Sequence, residues 1–240
     1  MIDLHEYDCL DSTNRLLLDM AKEGAPCGTA VWAHKQTGGR GRLGRSFSSP
    51  EGGIYVSILV PMDSAAGNGM KITAMAGVAT MRTIFQQCNK KCAIKWVNDI
   101  IYEGKKVCGI LAQGCNDKVI VGIGINYRTD LSLLPEELIS TASALYGPTD
   151  KAPDERTFVG ALLENVWDLC TQGDENWLEE YKGSSTILGK EVLILQAGKV
   201  VGEGLATEID DNCFLHVKGR DGKVTVQLTG EPKIFYLDGE

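Results

Sequence analysis

The sequence predicts an α+β protein with one large mixed domain followed by a small all-β domain. Three β-runs separated by short turns, over residues 92–127, predict an antiparallel meander, and long apolar segments on either side predict buried helices. After residue 185 the pattern changes to short β-runs with regular turns, which is typical of a small barrel of roughly 50 residues. We therefore predict one domain over residues 1–185 and a second over residues 186–240.

The first elements of the large domain follow from apolar spacing. A polar stretch before residue 15 and a glycine soon after residue 22 predict a capped helix over residues 15–22. Residues 29–34 and 53–60 have the composition of strands, and a glycine-rich loop lies between them. Residues 70–88 contain no proline and are long and apolar enough for a buried helix.

The predicted meander consists of three β-runs. They cover residues 92–102, 105–113 and 118–127, with hairpin signals at residues 103–104 and 115–117. Each run is short enough for one strand, so we expect sequential antiparallel pairing.

The large domain is predicted to end in a helical segment. Apolar residues recur at helical spacing over residues 155–169, and residues 176–181 continue the segment. The small domain then has three turn signals, at residues 197–198, 211–212 and 221–222.

Composition excludes several classes of protein. The net charge of −8 makes extended nucleic-acid binding unfavourable, because duplex affinity depends on several cationic contacts to phosphates. The chain starts without a signal-peptide pattern and has no apolar run of the roughly 18 residues that a membrane helix needs, so we predict a cytoplasmic protein. The eight cysteines are scattered without metal-binding spacing, which predicts reduced thiols.

The most informative segment lies between Gln36 and Pro50. It holds Arg40, Arg42 and Arg45 among glycines and contains no acidic residue, in a chain that is acidic overall. Glycine lets a backbone approach a ligand closely, and each guanidinium can bind phosphate or carboxylate oxygens. This composition favours a site for a phosphate-bearing small molecule over a solvated flexible loop.

The glycine spacing of this loop also matches the letters of a dinucleotide-binding fingerprint. That motif requires a helix after its last glycine, whereas residues 46–53 have the composition of loop and strand. A Walker loop is excluded because no Gly-Lys-Ser/Thr sequence ends the segment. We therefore expect the arginine side chains to hold much of the phosphate.

Further cations follow in the meander. Lys95 lies in an otherwise apolar run, and a partly buried lysine needs a carboxylate or a phosphate as its partner, for which Asp99 is a candidate. Lys105 and Lys106 follow a hairpin turn, where solvated surface charge is the more common situation.

A strand with alternating glycines, Gly122 and Gly124, ends at Asn126. Such a strand bares one face, which suits either a flat ligand or close packing against another backbone. The Asn126 amide can donate and accept hydrogen bonds at the end of this face.

Together these motifs resemble the biotin protein ligase family, in order and spacing and over almost the whole chain. The residues that carry the resemblance are 12–14, 39–50, 95–99, 106–111 and 122–126. It implies a class II synthetase-like catalytic domain with a mixed or antiparallel sheet, which binds biotin and ATP, and a small C-terminal SH3-like β-barrel. It also implies a short form of the family, without the N-terminal DNA-binding domain.

The reaction that the resemblance implies has two steps. Biotin and ATP form biotinyl-5'-AMP and pyrophosphate, and a lysine of a biotin carboxyl carrier protein then receives the biotinyl group. ATP with Mg²⁺ is the expected cofactor, the carrier protein is the expected partner, and neither nucleic acid nor membrane is expected to bind. The sequence does not decide between a monomer and a homodimer.

The resemblance also assigns roles position by position. Biotin is expected to bind Ser12, Thr13, Asn14, Gln36, Arg40, Gly41, Arg42, Lys106 and Gly109. ATP and the adenylate are expected to bind Arg42, Arg45, Phe47, Lys95, Asn98 and Asn126. The expected catalytic residues are Lys106, Arg40 and Arg42, because cations must neutralise the two anions that meet during adenylation. No residue is assigned as a metal ligand.

The chain departs from the family pattern at three positions. Phe47 stands where the family usually has Trp, and Val97 replaces the Pro of its Lys-Trp-Pro-Asn motif; neither change removes a chemical group. Near the end of the chain, Phe235 lies in the neighbourhood where the family has an arginine. A nucleotide contact from the small domain is therefore not predicted.

Two alternatives stay open at this level. A lipoate ligase of related fold would also adenylate an acyl carboxylate, and a biotin or nucleotide sensor would bind its ligand without turnover. For the ligase, we expect the acceptor protein to dock by aligning a strand along an exposed edge of the meander.

Overall fold

The computed structural model describes residues 1–65, 68–196, 198–228 and 230–234. These residues form a seven-stranded mixed sheet with helices on both faces and a separate five-stranded antiparallel sheet at the C-terminal end. This is the α+β architecture that the sequence predicts.

The elements fall into three groups. The first sheet contains β1 (Asp3–Tyr7), β2 (Thr29–Ala33), β3 (Ile54–Pro61), β4 (Ala93–Lys95), β5 (Asp99–Tyr102), β6 (Lys105–Cys115) and β7 (Lys118–Ile125). Within the described residues, the α-helices are α1 (Thr13–Lys22), α2 (Gly69–Cys88), α3 (Glu136–Ile139), α4 (Glu155–Gln172) and α5 (Trp177–Gly183). The second sheet contains β8 (Glu191–Gln196), β9 (Lys199–Ile209), β10 (Leu215–Lys218), β11 (Val224–Gln227) and β12 (Glu231–Ile234).

The first sheet has the strand order β1-β2-β3-β7-β6-β5-β4. β1 pairs with β2 in parallel, and the other neighbouring strands are antiparallel. On one face, Leu17 and Ala21 of α1 pack with Val31, Leu59 and Ile120 of the sheet. On the other face, α2 and α4 cover the main core. Because side chains alternate along a strand, the positions two residues from Leu59 and Ile120 also lie on the α1 face.

Helix α2 is tied to the C-terminal helices by one guanidinium. Arg82 of α2 donates to Glu180 of α5 at 2.6 Å and to Asp174, in the α4–α5 connection, at 2.6 Å. These contacts fix the helical layer on the core side of the sheet.

Two elements that were predicted to be continuous are each divided in two, so these predictions are wrong. The β-run over residues 92–102 is divided into β4 and β5, because residues 96–98 form a turn, in which the Trp96–Val97 peptide bond is cis. The helical segment over residues 155–181 is broken at Gly173, where a φ of +67° ends α4 before α5 begins. The structure also contains β1 and α3, which the sequence patterns did not predict.

The second sheet has the strand order β11-β10-β9-β8-β12. The segment that leads from α5 to this sheet is fixed to the edge of the first sheet by Ile94, whose N–H donates to Ser184 O at 2.8 Å and whose carbonyl accepts from Thr186 N at 2.9 Å. Of the predicted features here, Ala197 and Phe235 lie outside the described residues. The domain boundary at residue 185 stays a prediction.

No helix in the described part of the chain is long and apolar enough to cross a membrane. The eight cysteines all belong to the described residues and are free thiols. Burial raises the pKa of Cys108 and raises that of Cys170 to about 12, which keeps both thiols protonated at neutral pH.

Candidate active site

A cavity of about 930 Å³, open to solvent, lies over the central strands β3, β7 and β6, on the face that α1 covers. Its floor lies on two cross-strand rows, Ser57–Gly122–Leu111 and Tyr55–Gly124–Gly109, and all of these residues except Ser57 line the cavity. Three of these six positions are glycine, so the floor lies close to the backbone.

The glycines of the floor make room for side chains. A Cβ atom at Gly122 would collide with the Asn14 amide, and one at Gly124 would lie 2.5 Å from the Phe47 ring. A Cβ atom at Gly109 would lie 3.1 Å from the same ring. Side chains from outside the sheet, rather than another backbone, therefore contact the bared face.

The polar end of the cavity is built at the start of α1. Thr13 donates to Gln36 Oε1 twice, from its backbone N–H at 2.8 Å and from Oγ1 at 3.2 Å, while Gln36 Nε2 donates to Ser49 Oγ at 2.9 Å. Ser12 occupies the N-cap position, but its side chain makes no capping hydrogen bond, contrary to the predicted polar cap. Gln36, from the loop after β2, supplies an acceptor to the helix start instead.

Asn14 is buried at this polar end. Ser57 Oγ donates to Asn14 Oδ1 at 2.7 Å and lies 2.8 Å from Thr13 Oγ1. Asn14 Nδ2 is buried without a hydrogen-bond partner. Because a buried amide donor is costly to leave unpaired, this atom marks a position for an acceptor on a ligand.

The Arg/Gly loop forms a short hairpin at the cavity. Phe47 N donates to Gly39 O at 2.9 Å, and Gly41 N donates to Arg45 O at 2.7 Å. A 3₁₀ turn at Arg42–Gly44 closes the hairpin, and its last glycine takes a φ of +76°.

The arginines of this hairpin line the same cavity. Arg42 Nη1 donates to Asn98 Oδ1 at 3.1 Å, and Asn98 is itself held by Ile110 through two hydrogen bonds of 2.9 and 3.0 Å. Arg40 and Arg45 are exposed and also line the cavity. The three cations therefore converge on one site.

Lys106 forms an ion pair with Asp99, with 2.7 Å between Nζ and Oδ1. A β-bulge in the β5–β6 pair shifts the register beside these residues and brings Lys106 Nζ next to Gly109. Lys106 is only 38% exposed, so it differs from the solvated charge that its turn position suggested. Asp99 contacts Lys106 rather than Lys95, although Lys95 faces it in the β4–β5 register.

Aromatic rings cover the second row of the floor. Phe47 lies edge-to-face with Tyr55, with 6.4 Å between centroids, and Lys106 Nζ is 5.7 Å from the Phe47 centroid. Tyr55 OH donates to Pro50 O at 2.7 Å, and burial raises the Tyr55 pKa, so the phenol stays neutral at physiological pH.

A second cavity adjoins the first. Both are lined by Arg45, Ser46, Phe47, Lys95, Asp99 and Lys106. The second has an apolar wall of Leu134, Leu138 and Ala142, from the segment that follows β7. A ligand can therefore extend from the polar end at α1, past Lys106, to this apolar wall.

The wall segment is fixed to the first sheet at Lys106. The Lys106 backbone donates to Thr141 O at 2.9 Å and accepts from Ser143 N at 2.8 Å. Asn126 Nδ2 donates to Ser143 O at 2.9 Å from the end of β7. Asn126 thus holds the wall and also lines the second cavity.

The structure brings the predicted site residues together. Every residue predicted to bind biotin lines the first cavity, and so do the predicted nucleotide residues except Asn126, which lines the second. Their roles stay predictions. Tyr55 and Leu111 also line the first cavity but were not predicted, although their alternation along strands next to the glycines of β7 indicates this face. The wall segment was not predicted because its sequence has no periodic pattern.

Comparison with known proteins gives the family. Residues 6–130 match the biotin/lipoate A/B protein ligase family, and residues 187–230 match the biotin protein ligase C-terminal domain. The chain belongs to the biotin/lipoate A/B protein ligase family.

Curated proteins that are similar to this chain differ in length. The bifunctional ligase/repressor BirA of Bacillus subtilis is 39% identical over 170 residues, which are 68% of this chain and 51% of that protein. The chain therefore spans about half the length of this relative. A biotin–[acetyl-CoA-carboxylase] ligase of Paracoccus denitrificans is 28% identical over 238 residues, 94% of this chain and 97% of that protein.

Solved structures confirm the fold class. The biotin protein ligase of Aquifex aeolicus in complex with biotin and ATP has a TM-score of 0.82 and 29% identity, and the match covers 98% of this chain and 99% of that chain. A Leishmania major biotin protein ligase with biotinyl-5-AMP has a TM-score of 0.65 and 25% identity, over 95% of this chain and 99% of that chain.

Proposed function

We propose that this chain is an ATP-dependent biotin protein ligase. The carboxylate of biotin attacks the α-phosphorus of ATP, which gives biotinyl-5'-AMP and pyrophosphate. A lysine of a biotin carboxyl carrier protein then attacks the acyl carbon, and AMP leaves. The observation that carries this proposal is a donor-lined cavity that continues, through Lys106, into a cation-lined second cavity.

Biotin is proposed to lie in the first cavity with its bicyclic head at the polar end. The unpaired Asn14 Nδ2 and the remaining N–H of Gln36 face a ring system that carries hydrogen-bonding groups. The glycine floor at Gly122 admits a flat ring, and the acyl chain extends past Gly109 to Lys106. The complexes of the Aquifex aeolicus and Leishmania major proteins support this ligand choice.

Adenylation requires two anions to approach each other, and the site supplies cations for both. Lys106 stands where the two cavities meet, and Arg40 and Arg42 reach the same space from the hairpin. An incoming carboxylate or phosphate competes with Asp99 for the Lys106 amino group. Fixed charges and orientation then lower the barrier, and the reaction needs no nucleophile from the protein.

The nucleotide is proposed to occupy the second cavity. Leu134 and Leu138 offer an apolar surface for the base, while Arg45 and Lys95 face the phosphates. The described residues contain no group of three His, Cys, Asp or Glu side chains that could hold a metal ion. Mg²⁺ is proposed to arrive as a complex with the ATP phosphates and to keep several of its waters.

The Arg/Gly hairpin is proposed to act as a lid. A mixed anhydride is readily hydrolysed, so closing the hairpin over the adenylate would keep water away until the acceptor lysine arrives. The exposed Arg40 can move toward a bound anion without leaving a packed core.

The acceptor is proposed to be a biotin carboxyl carrier protein, in agreement with the names of relatives such as the Paracoccus denitrificans ligase. β5 pairs with β6 only up to Gly109, and among the described residues no strand pairs with that side of β6 over residues 111–115. This free edge lies at the first cavity and suits an aligned acceptor strand. Homodimerisation stays open, and a cytoplasmic location is proposed because ATP is the substrate.

Two measurements test the proposal. Purified protein should exchange labelled pyrophosphate into ATP in the presence of biotin and Mg²⁺, and lipoate should not replace biotin. Labelled biotin should then be transferred to a carboxyl carrier domain. Exchange that depends on lipoate would favour the lipoate ligase, and tight binding of biotin without exchange or transfer would identify a sensor.

A further inference from the structure

The second cavity is lined by basic residues from several parts of the chain. Among the described residues, its basic lining residues are Arg45, Lys95, Lys105, Lys106, Lys190 and Lys233, and its acidic lining residue is Asp99. The whole chain carries a net charge of −8, so the cavity lining is basic although the protein is acidic. A polyanion is the ligand that such a cavity would attract.

Two of these lysines come from the C-terminal part of the chain, one within the second sheet and one directly before it. Lys233 lies in β12, opposite Leu193 of β8. Lys190 directly precedes β8 and is fixed through its backbone, which donates to Ile187 O at 3.1 Å and accepts from Ala206 N at 2.9 Å. Both side chains are exposed, and no carboxylate of a described residue forms an ion pair with either amino group.

The arrangement of the two cavities suggests a different place for each part of the nucleotide. The α-phosphorus must lie near Lys106, because biotin reaches it from the first cavity. In the proposed arrangement the base lies against Leu134 and Leu138, which line the second cavity and not the first. The β- and γ-phosphates then have the remaining basic surface of the second cavity, which Lys190 and Lys233 supply together with Lys95 and Lys105.

We propose that Lys190 and Lys233 hold the pyrophosphate that leaves during adenylation, an inference that rests on the proposed ligase function. When the carboxylate oxygen bonds to the α-phosphorus, the bond from that phosphorus to the bridging oxygen breaks, and pyrophosphate takes the electron pair. The two lysines neutralise the charge that develops on this leaving group. The first half-reaction therefore uses the C-terminal part of the chain, although the sequence lacks the family arginine from which a nucleotide contact of the small domain would have been predicted.

The test is the double variant Lys190→Gln/Lys233→Gln. In biotin-dependent exchange of labelled pyrophosphate into ATP, the pyrophosphate concentration for half-maximal rate should rise roughly tenfold or more, because charge-assisted contacts to phosphate are lost. Transfer of biotin to a carrier domain from chemically made biotinyl-5'-AMP should change by less than about twofold, because no pyrophosphate takes part. Lys190→Arg/Lys233→Arg should restore exchange.

The matched control is Lys218→Gln, which removes an exposed lysine of the same sheet that does not line the cavity. It should leave both assays unchanged. An unaltered pyrophosphate dependence in the double variant would overturn the inference, and so would an equal loss in both assays, which would indicate a structural role. If the wild-type protein shows no biotin-dependent exchange, the ligase proposal itself fails.

Discussion

At the scale of single residues, Lys106 is the central residue of the site, because it lines both cavities where they meet. Its amino group contacts Asp99 at 2.7 Å, and its backbone holds the wall of the second cavity. The side chain of Lys106 thus supplies a positive charge, while its backbone holds the wall segment. A substitution that removes only the side chain separates these two contributions.

Lys106→Ala should slow formation of biotinyl-5'-AMP by roughly two to three orders of magnitude, because the charge that meets the carboxylate and the α-phosphate is lost. Single-turnover measurement of the adenylate gives the rate directly. Lys91→Ala, at an exposed lysine outside both cavities, should behave like the wild type. Near-normal adenylation in Lys106→Ala would remove this lysine from its proposed role.

Gly122→Ala should weaken biotin binding by roughly tenfold, since the added methyl group takes the space of the Asn14 amide and a hydrogen bond to the ligand is lost. Titration calorimetry with biotin measures the effect. Gly114→Ala serves as the control, because its new Cβ would lie at an ordinary 3.5 Å from Met62. Equal affinities in the two variants would show that Asn14 does not contact biotin.

At the scale of elements, the helices and strands that have a clear local pattern of apolar residues were predicted from the sequence. The α1, α2 and α4 helices and the β3, β6 and β7 strands match their apolar periodicity within a few residues. β1 was missed because its alternating polar residues form an edge strand whose partner, β2, lies more than twenty residues away. The turn at residues 96–98 was missed because Trp96 and Val97 are typical of a strand.

Part of the site was also predictable from the sequence. Gln36, Arg40 and Arg42 belong to a segment of unusual composition, rich in arginine and glycine, and the structure brings them to one cavity. Lys190 and Lys233 could not be named, because isolated surface lysines have no local signal and only the packing of the second sheet places them. The pairing of Lys106 with Asp99 likewise depends on a β-bulge.

The helical layer offers a pH-dependent prediction. The hydrogen bond from Arg82, followed by those from the backbone of the next helix, lowers the pKa of Asp174 despite partial burial. The charged carboxylate is therefore favoured in the folded state, so its stabilisation is present above the pKa of the unfolded chain and is lost as pH falls through the lowered folded pKa.

Asp174→Asn should accordingly reduce the free energy of unfolding by about 0.5–1 kcal/mol at pH 7, a value discounted because both partners are partly exposed. The difference from the wild type should shrink toward pH 3, as urea unfolding at both pH values would reveal. Asp8→Asn, at an exposed carboxylate, is the control. A difference that stays constant down to pH 3 would contradict the assignment.

At the scale of the whole molecule, the two sheets are joined beside the active site. Trp96, in the turn between β4 and β5, lines the first cavity, and its Nε1 donates to Cys213 O of the second sheet's loop at 2.9 Å. Tyr181 OH donates to Val97 O in the same turn at 3.0 Å. The turn thus connects the cavity, the helical layer and the C-terminal sheet.

Trp96→Phe should lower the free energy of unfolding by about 1–3 kcal/mol, because the buried Cys213 carbonyl loses its indole donor. Urea unfolding followed by circular dichroism measures this loss. Trp177→Phe removes a similar ring from α5 without touching that hydrogen bond, and it should cost less. If both variants are equally stable, the indole does not hold the second sheet.

The hydrogen bonds at the start of α1 also set what kind of molecule can be recognised there. Gln36 Oε1 already accepts twice and Nε2 donates once, so this amide has a single proton left, while Asn14 has two. The two amides therefore offer a ligand only protons, and the ligand group that meets them must bring lone pairs, as the ureido oxygen of biotin does. An analogue of the same shape with a protonated imine in that place has no lone pair and would bring hydrogen against hydrogen, so these two amides discriminate by polarity rather than size.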